Sequence, residues 1–206
     1  MIIINGLFKW VYDAGNWLSK VMYLHFLWVL FTLLGLGVFG ISPATAALFS
    51  VIHKWFEEDF DIPIFKYFYS VYKTQFIKSN RLGFILIGIG IFLYIDINIS
   101  QKYIQSFYVH LFLIIIIFLY FLTALYLFPV FVRYELKFFL YFKQSFLVAL
   151  ARPLETIAMI ICIFLLFYLL KFLPILLFFA GSSIIAYPLA WFAFRACVQI
   201  EEKRLT

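Results

Sequence analysis

The sequence predicts an all-α fold, a polytopic membrane bundle of about five transmembrane helices. Three observations carry this. Five long apolar stretches occupy residues 21–41, 82–99, 107–132, 154–170 and 174–196. Each approaches or exceeds the ~20 residues that cross a ~30 Å hydrocarbon core. Hydrophobic residues make up 67% of the chain, far above the ~45–50% of soluble domains, and mean hydropathy is +1.07. Positive charge, finally, gathers in alternate gaps. Lys54, Lys66, Lys73, Lys78, Arg81, Arg133, Lys137, Lys143, Arg152, Arg195, Lys203 and Arg204 fall on one side of a five-span topology, and only Lys9, Lys20, Lys102 and Lys171 on the other. Lys and Arg favour the cytoplasmic face, so the N-terminus is expected outside and the C-terminus inside. With 206 residues, 1–206 is expected to be one membrane domain. The net charge of +6 reads as this topological bias and an attraction to anionic lipid, not as a nucleic-acid footprint.

Residues 1–20 place Leu7, Trp10, Val11, Ala14 and Leu18 at helical spacing, with Trp17 and Tyr12 nearby. That predicts an amphipathic interfacial segment. Ala44-Thr45-Ala46 after the first apolar run looks like a signal-peptidase site. The run exceeds a ~7–15-residue signal core and follows twenty residues that include Asp13, so 21–41 is expected to be a retained span.

The gap 42–81 is expected to be a cytoplasmic helical connector. Ser42-Pro43 suits a helix start, because Ser caps and Pro loses nothing in the first turn. Pro63 suits a second start, with Lys66, Ser70, Lys73 and Thr74 as its polar stripe. Glu57, Glu58, Asp59 and Asp61 between the two helices form the one acidic cluster in the sequence. Flanked by Trp55, Phe56 and Phe60, this stretch is predicted to dock a partner, since aromatic anchors ringed by charge are typical hot spots. Its bland reading is a solvated turn beside a helix N-terminus. The gap 133–153 is a second expected connector, with Arg133, Lys137 and Gln144 on one face. Arg152-Pro153 ends it and starts the fourth span. The two halves look alike, as a parallel repeat of span, connector and span.

Chemistry is sparse. His25, His53 and His110 lie far apart, and no paired-Cys or H-E-x-x-H spacing suggests a metal. No cofactor motif stands out. Cys162 and Cys197 are expected to be free thiols acting as apolar fillers. Asp96 and His110 near the outer face are expected at water-exposed positions, with an outward pair as the alternative. The spans lack the polar faces a conduction path needs. Pro129 and Pro188 are expected to bend the third and fifth spans.

Residues 40–49, Gly-Ile-Ser-Pro-Ala-Thr-Ala-Ala-Leu-Phe, with Lys54-Trp55, Asp61-Ile62-Pro63, Leu127-Phe128-Pro129, Arg133-Tyr134 and Arg152-Pro153, resemble the bacterial YesL family over most of the chain. His53 stands where a basic residue is usual, and the usual glycine near Glu57 is missing. The resemblance implies a membrane protein that accompanies carbohydrate-uptake systems of the ABC type in Gram-positive bacteria. It implies structural or contact roles for Pro43, Ala44, Thr45, Pro129, Arg133 and Pro153, and no catalytic residues. The expected function is therefore a non-enzymatic accessory subunit of a carbohydrate ABC importer. Its expected partners are lipids and permease subunits. An independent small transporter or channel is the alternative, and a membrane enzyme the least favoured.

Overall fold

The computed structural model describes residues 2–57 and 60–205, and among these all regular structure is helical. Seven helices follow in chain order: α1 (Ile2–Leu34), α2 (Val38–Glu57), α3 (Ile64–Ile99), α4 (Phe107–Arg133), α5 (Phe138–Ala151), α6 (Pro153–Phe172) and α7 (Pro174–Leu205). A π-helical turn, Ser100–Ile104, ends α3. Five segments are long and apolar enough to cross a membrane: Val11–Leu34, Ile64–Ile104, Phe107–Arg133, Pro153–Phe172 and Pro174–Lys203. Large apolar side chains stay exposed along them, among them Ile91, Phe92, Phe112, Phe118, Phe164 and Phe167. Lipid, not protein, covers such faces. The chain is a multi-pass membrane protein of the predicted all-α class.

The boundaries of the first half differ from expectation. The expected span 21–41 breaks at residue 35. Leu36 (φ 57°) and Gly37 (φ 73°) are left-handed, which stops a right-handed helix. The Gly37 amide closes the turn on the Thr32 carbonyl at 2.9 Å. Residues 1–20 are not a helix of their own, because α1 runs unbroken from Ile2. No Gly or Pro lies between Gly15 and Gly35, so nothing interrupts the helix at residue 21. In the same way α3 joins the second connector helix to the second span in one 36-residue helix. Arg133, Lys137 and Gln144 do not share a face: Arg133 ends α4, Lys137 is the N-cap of α5, and an extended link separates them. Pro153 does open α6, with Glu155 in its first turn.

Pro43 does not start a helix. It lies inside α2, five residues past its start. Its ring nitrogen carries no hydrogen, so the Phe39 carbonyl one turn back lacks its helical donor. The Asn80 side chain of α3 supplies one, Nδ2 to the Phe39 oxygen, at 2.9 Å. Ser42 caps nothing; its side chain occupies the space that a Cβ on Gly83 would fill. The repair predicts a cycle. Asn80→Ala should destabilise the protein by about 1–2 kcal/mol, the cost of stranding a buried polar group. In a Pro43→Ala background, where the substitution restores the backbone N–H, the cost should shrink to about a few tenths. Equal costs in the two backgrounds, read by unfolding in detergent, would exclude the repair.

α2 is the central helix. It packs on α1, α3, α4 and α7 and buries Gly40, Ser42, Ala44, Ala46 and Ala47 among others. Small residues let backbones approach closely in membrane bundles. This central position lets α2 carry Ser, Thr and His, because its neighbours shield it from lipid. One cluster of buried side chains surrounds it from α1, α3 and α7, including Leu24, Leu48, Ile52 and Phe68. A second joins α4 through α7 by Tyr126, Val130, Val148, Met159 and Ala193.

Helix directions follow from paired contacts. Trp28 Nε1 donates to Thr45 Oγ1 at 3.1 Å, and α2 doubles back along α1. α7 also runs against α1: Trp17 meets Tyr187, while His25 bonds Ser182 and the Phe178 carbonyl. An N-terminus outside and a C-terminus inside would need α1 and α7 to run the same way. The packing has them opposed, because the turn at 35–37 adds a reversal that the apolar pattern alone hides.

Candidate partner-binding cleft at the charged end of the bundle

The ends of α2, α4 and α7 meet around Arg133. Its guanidinium grips Glu201 of α7 in a two-pronged pair, Nε to Oε1 at 3.0 Å and Nη2 to Oε2 at 2.8 Å. Nη1 reaches Glu57 of α2 at 3.3 Å and His53 Nε2 at 3.4 Å. The Tyr134 hydroxyl donates to Glu201 Oε1 at 2.6 Å. Planar guanidinium and carboxylate groups match in such pairs, where a lysine offers one point charge.

His53 is the ambiguous member. Its Nε2 lies 3.2 Å from Glu57 Oε1 as well. It accepts from Arg133 when Nε2 is bare and donates to Glu57 when Nε2 is protonated, and one nitrogen cannot do both. Burial lowers the His53 pKa; Glu57 raises it and Arg133 lowers it. The neutral ring is favoured, so acceptance from Arg133 dominates at neutral pH. Burial, together with the bond to Glu201, raises the Tyr134 pKa, so its hydroxyl stays protonated and donates.

Beside this cluster opens a cleft of about 450 Å³ lined by His53, Phe56, Glu57, Arg133, Trp191, Phe194, Arg195 and Val198. His53 rests edge-on against Phe194, with ring centroids 4.4 Å apart. Arg195 stacks over Trp191 at 5.2 Å. Trp191 is 43% exposed and Val198 38%, so the outer wall is aromatic, cationic and accessible.

The predicted docking stretch 55–61 divides. Trp55 is buried and packs on Phe60, centroids 4.8 Å apart. Phe60 lies under the Lys20 ammonium, and Lys20 pairs with Asp61 and bonds the Phe60 carbonyl at 2.9 Å. These contacts clamp the connector to α1, while the Asp61 side chain stays 77% exposed. Against the expectation of an exposed anchor, Trp55 turns inward, because α1, α2 and the connector close on one another there. Phe56 and Glu57 do face the cleft. Glu58 and Asp59 lie outside the described residues.

The motif residues have structural places. Ala44 is fully buried. Thr45 accepts from Trp28 and donates to the Ile41 carbonyl at 2.7 Å. Pro129 is buried within α4. Arg133 is the hub. Sequence reasoning missed Glu201, Trp191 and Arg195 as members of a site. The signal for Glu201 was available: a carboxylate among the closing charges of a helix that is otherwise apolar. Asp96 and His110, weighed as an outward pair, share no hydrogen bond or ion pair among the described residues. Cys162 and Cys197 are free.

Comparison with known proteins fits the fold. The profile of the family described as "Protein of unknown function, DUF624" matches residues 21–97, which hold the α1–α2 hairpin and most of α3. The chain is 41% identical over 175 residues to "Uncharacterized protein YteU" of Bacillus subtilis (strain 168), covering 84% of this chain and 78% of that one. It is 35% identical over 211 residues to "Uncharacterized protein YesL" of the same organism, covering 98% of both. It is 36% identical to "Uncharacterized protein YesV", covering 93% of both. No solved structure matches the chain. With such relatives aligned over 78% to 98% of their length, the chain belongs to the DUF624 family of YesL-like membrane proteins.

Proposed function

We propose that the protein is a non-enzymatic accessory subunit that holds permease subunits of a carbohydrate ABC importer at the cleft between α2, α4 and α7. The observation that carries this reading is the outer wall of that cleft. Trp191 and Arg195 stand exposed beside a cluster whose own charges already satisfy one another. Trp and Arg dominate the energetics of protein interfaces. The importer as partner comes from the YesL-like character of the chain. Two of the larger polar groups within the helices are tied to their neighbours, His25 to Ser182 and Tyr126 to Thr156. That favours a scaffold over a solute path.

The test is co-purification of the tagged full chain from its native host in mild detergent, with sugar-induced cells. Permease subunits should be recovered, and Trp191→Ala with Arg195→Glu should reduce recovery about tenfold, the effect of losing one hot spot. Absence of permease subunits would remove the importer reading. Sugar uptake by liposomes holding only this protein would replace it with the transporter reading.

The same reading places both ends of the chain on the cytoplasmic side. The opposed α1 and α7 support it, and so does charge: all Lys and Arg except Lys102 and Lys171 then fall inside. In a Cys162→Ser, Cys197→Ala background, an impermeant maleimide should label Tyr103→Cys on intact cells and Lys9→Cys only after permeabilisation. Labelling of Lys9→Cys from outside would reverse the orientation.

A further inference from the structure

A second cleft, about 470 Å³, opens between α3 and the start of α5. Its wall includes Tyr67, Gln75, Lys78, Glu135, Lys137 and Tyr141. We propose that it binds a phosphate ester, and the placement of α5 points to the headgroup of an anionic phospholipid as its source.

Charge carries the first part of the argument. Lys78 and Lys137 come from separate elements and converge on one cleft. Among the described residues neither makes an ion pair or a side-chain hydrogen bond, whereas Arg133 and Lys20 are fully engaged. Two like charges share a site at a cost unless an anion answers them. Glu135 lines the same cleft and answers one in part, which leaves a net positive cavity. Gln75 adds a further hydrogen-bond donor.

The second part is rigidity. The Tyr141 hydroxyl accepts from the Leu136 amide at 3.1 Å and donates to the Tyr134 carbonyl at 3.2 Å. This pins the link 134–137 on both sides of Glu135 and sets the backbone of Lys137. Lys137 caps α5 without a side-chain bond, so its ammonium is not held by the helix it starts.

Depth is the third part. α5 has 14 residues, about 21 Å at 1.5 Å each, too short to cross a bilayer. It nevertheless exposes Phe139, Leu140, Leu147 and Leu150. A short helix with an exposed apolar face lies in the interface. Its N-terminus, and the cleft with it, then sits at headgroup level. Lys66, Lys73 and Arg81 are exposed along α3 nearby, which adds general attraction to an anionic leaflet without the enclosure of the cleft.

The experiment uses the purified full chain. Native mass spectrometry would count phosphatidylglycerol against phosphatidylcholine retained from mixed micelles. A parallel arm would measure the thermal shift with glycerol 3-phosphate in a neutral detergent. Retention of phosphatidylglycerol with no response to glycerol 3-phosphate assigns the lipid headgroup; a response to both assigns the phosphate ester as such. Lys78→Gln with Lys137→Gln should weaken binding about tenfold or more, as charged hydrogen bonds are lost, while Lys66→Gln with Lys171→Gln should not. Glu135→Gln should strengthen binding by about threefold or more by removing the one repelling carboxylate, a gain that misfolding cannot mimic. No preference for phosphatidylglycerol and no response to glycerol 3-phosphate would overturn the site. So would cleft variants that bind like wild type, or a Glu135→Gln variant that binds no better.

Discussion

Gly40→Ala should destabilise the protein by about 3 kcal/mol or more, the upper range for overpacking a closed interface. A Cβ at Gly40 would lie 2.7 Å from the Thr32 Cα and 2.8 Å from the Phe31 carbonyl oxygen, with the Thr32 oxygen closer still. All three are backbone atoms of α1, so no side chain can rotate away. The hairpin would have to open, and α2 is the helix on which α1, α3, α4 and α7 pack. Gly35 meets the same constraint from the other side, since its Cβ would run into the Gly40 backbone. Gly88→Ala is the control: nothing stands within 4 Å of a Cβ there, and alanine is the better helix former. Stability is read by unfolding in mild detergent. A Gly40→Ala protein as stable as wild type would mean that the hairpin is looser than its geometry.

The features legible in the sequence and those that were not differ in physical kind. Apolar length is a one-dimensional signal, so α4 and α6 stand close to where the pattern puts them. The second half also announces itself by Arg152-Pro153, whose proline removes a donor and opens α6. The first half misleads because a turn with Leu36 and Gly37 left-handed sits inside one apolar run, and hydropathy does not see a turn made in lipid. Pro43 misleads for a related reason. Its missing hydrogen bond is repaired by Asn80, 37 positions along the chain, and local rules about proline assume no such repair. The docking stretch 55–61 rests on composition, and composition cannot tell a clamped connector from an exposed one; Lys20 decides that by reaching Asp61 and Phe60. Glu57 and Arg133 both stand out in the sequence, for different reasons. That they touch is a tertiary fact with no local trace, and Glu201 shows in the sequence only as a carboxylate among the closing charges of an apolar helix.

Arg133→Ala should cost about 2–3 kcal/mol, below the ~3–5 of a fully buried pair because both carboxylates are partly open to water. Arg133 itself is only 14% exposed, while Glu201 is 38% and Glu57 48% exposed. Its removal leaves two carboxylates without their shared cation, Glu201 still bonded by the Tyr134 hydroxyl and Glu57 beside His53. Arg133→Lys should recover less than half of the loss, since an ammonium cannot take both oxygens of Glu201. Acid adds an independent readout through His53. Its folded pKa lies below the ordinary 6.5, so the unfolded chain takes the proton first. The stability due to the neutral ring is therefore complete above pH 6.5 and is lost as pH falls from there toward the folded value. Removing Arg133 removes a charge that opposes the proton and leaves Glu57, which favours it. The folded pKa should rise, and the loss as pH falls below 6.5 should shrink in Arg133→Ala although the protein is weaker at every pH. A variant that is weaker yet keeps the full wild-type acid slope would show that Arg133 does not act on His53. The cluster would then be two separate pairs instead of one coupled group joining α2, α4 and α7.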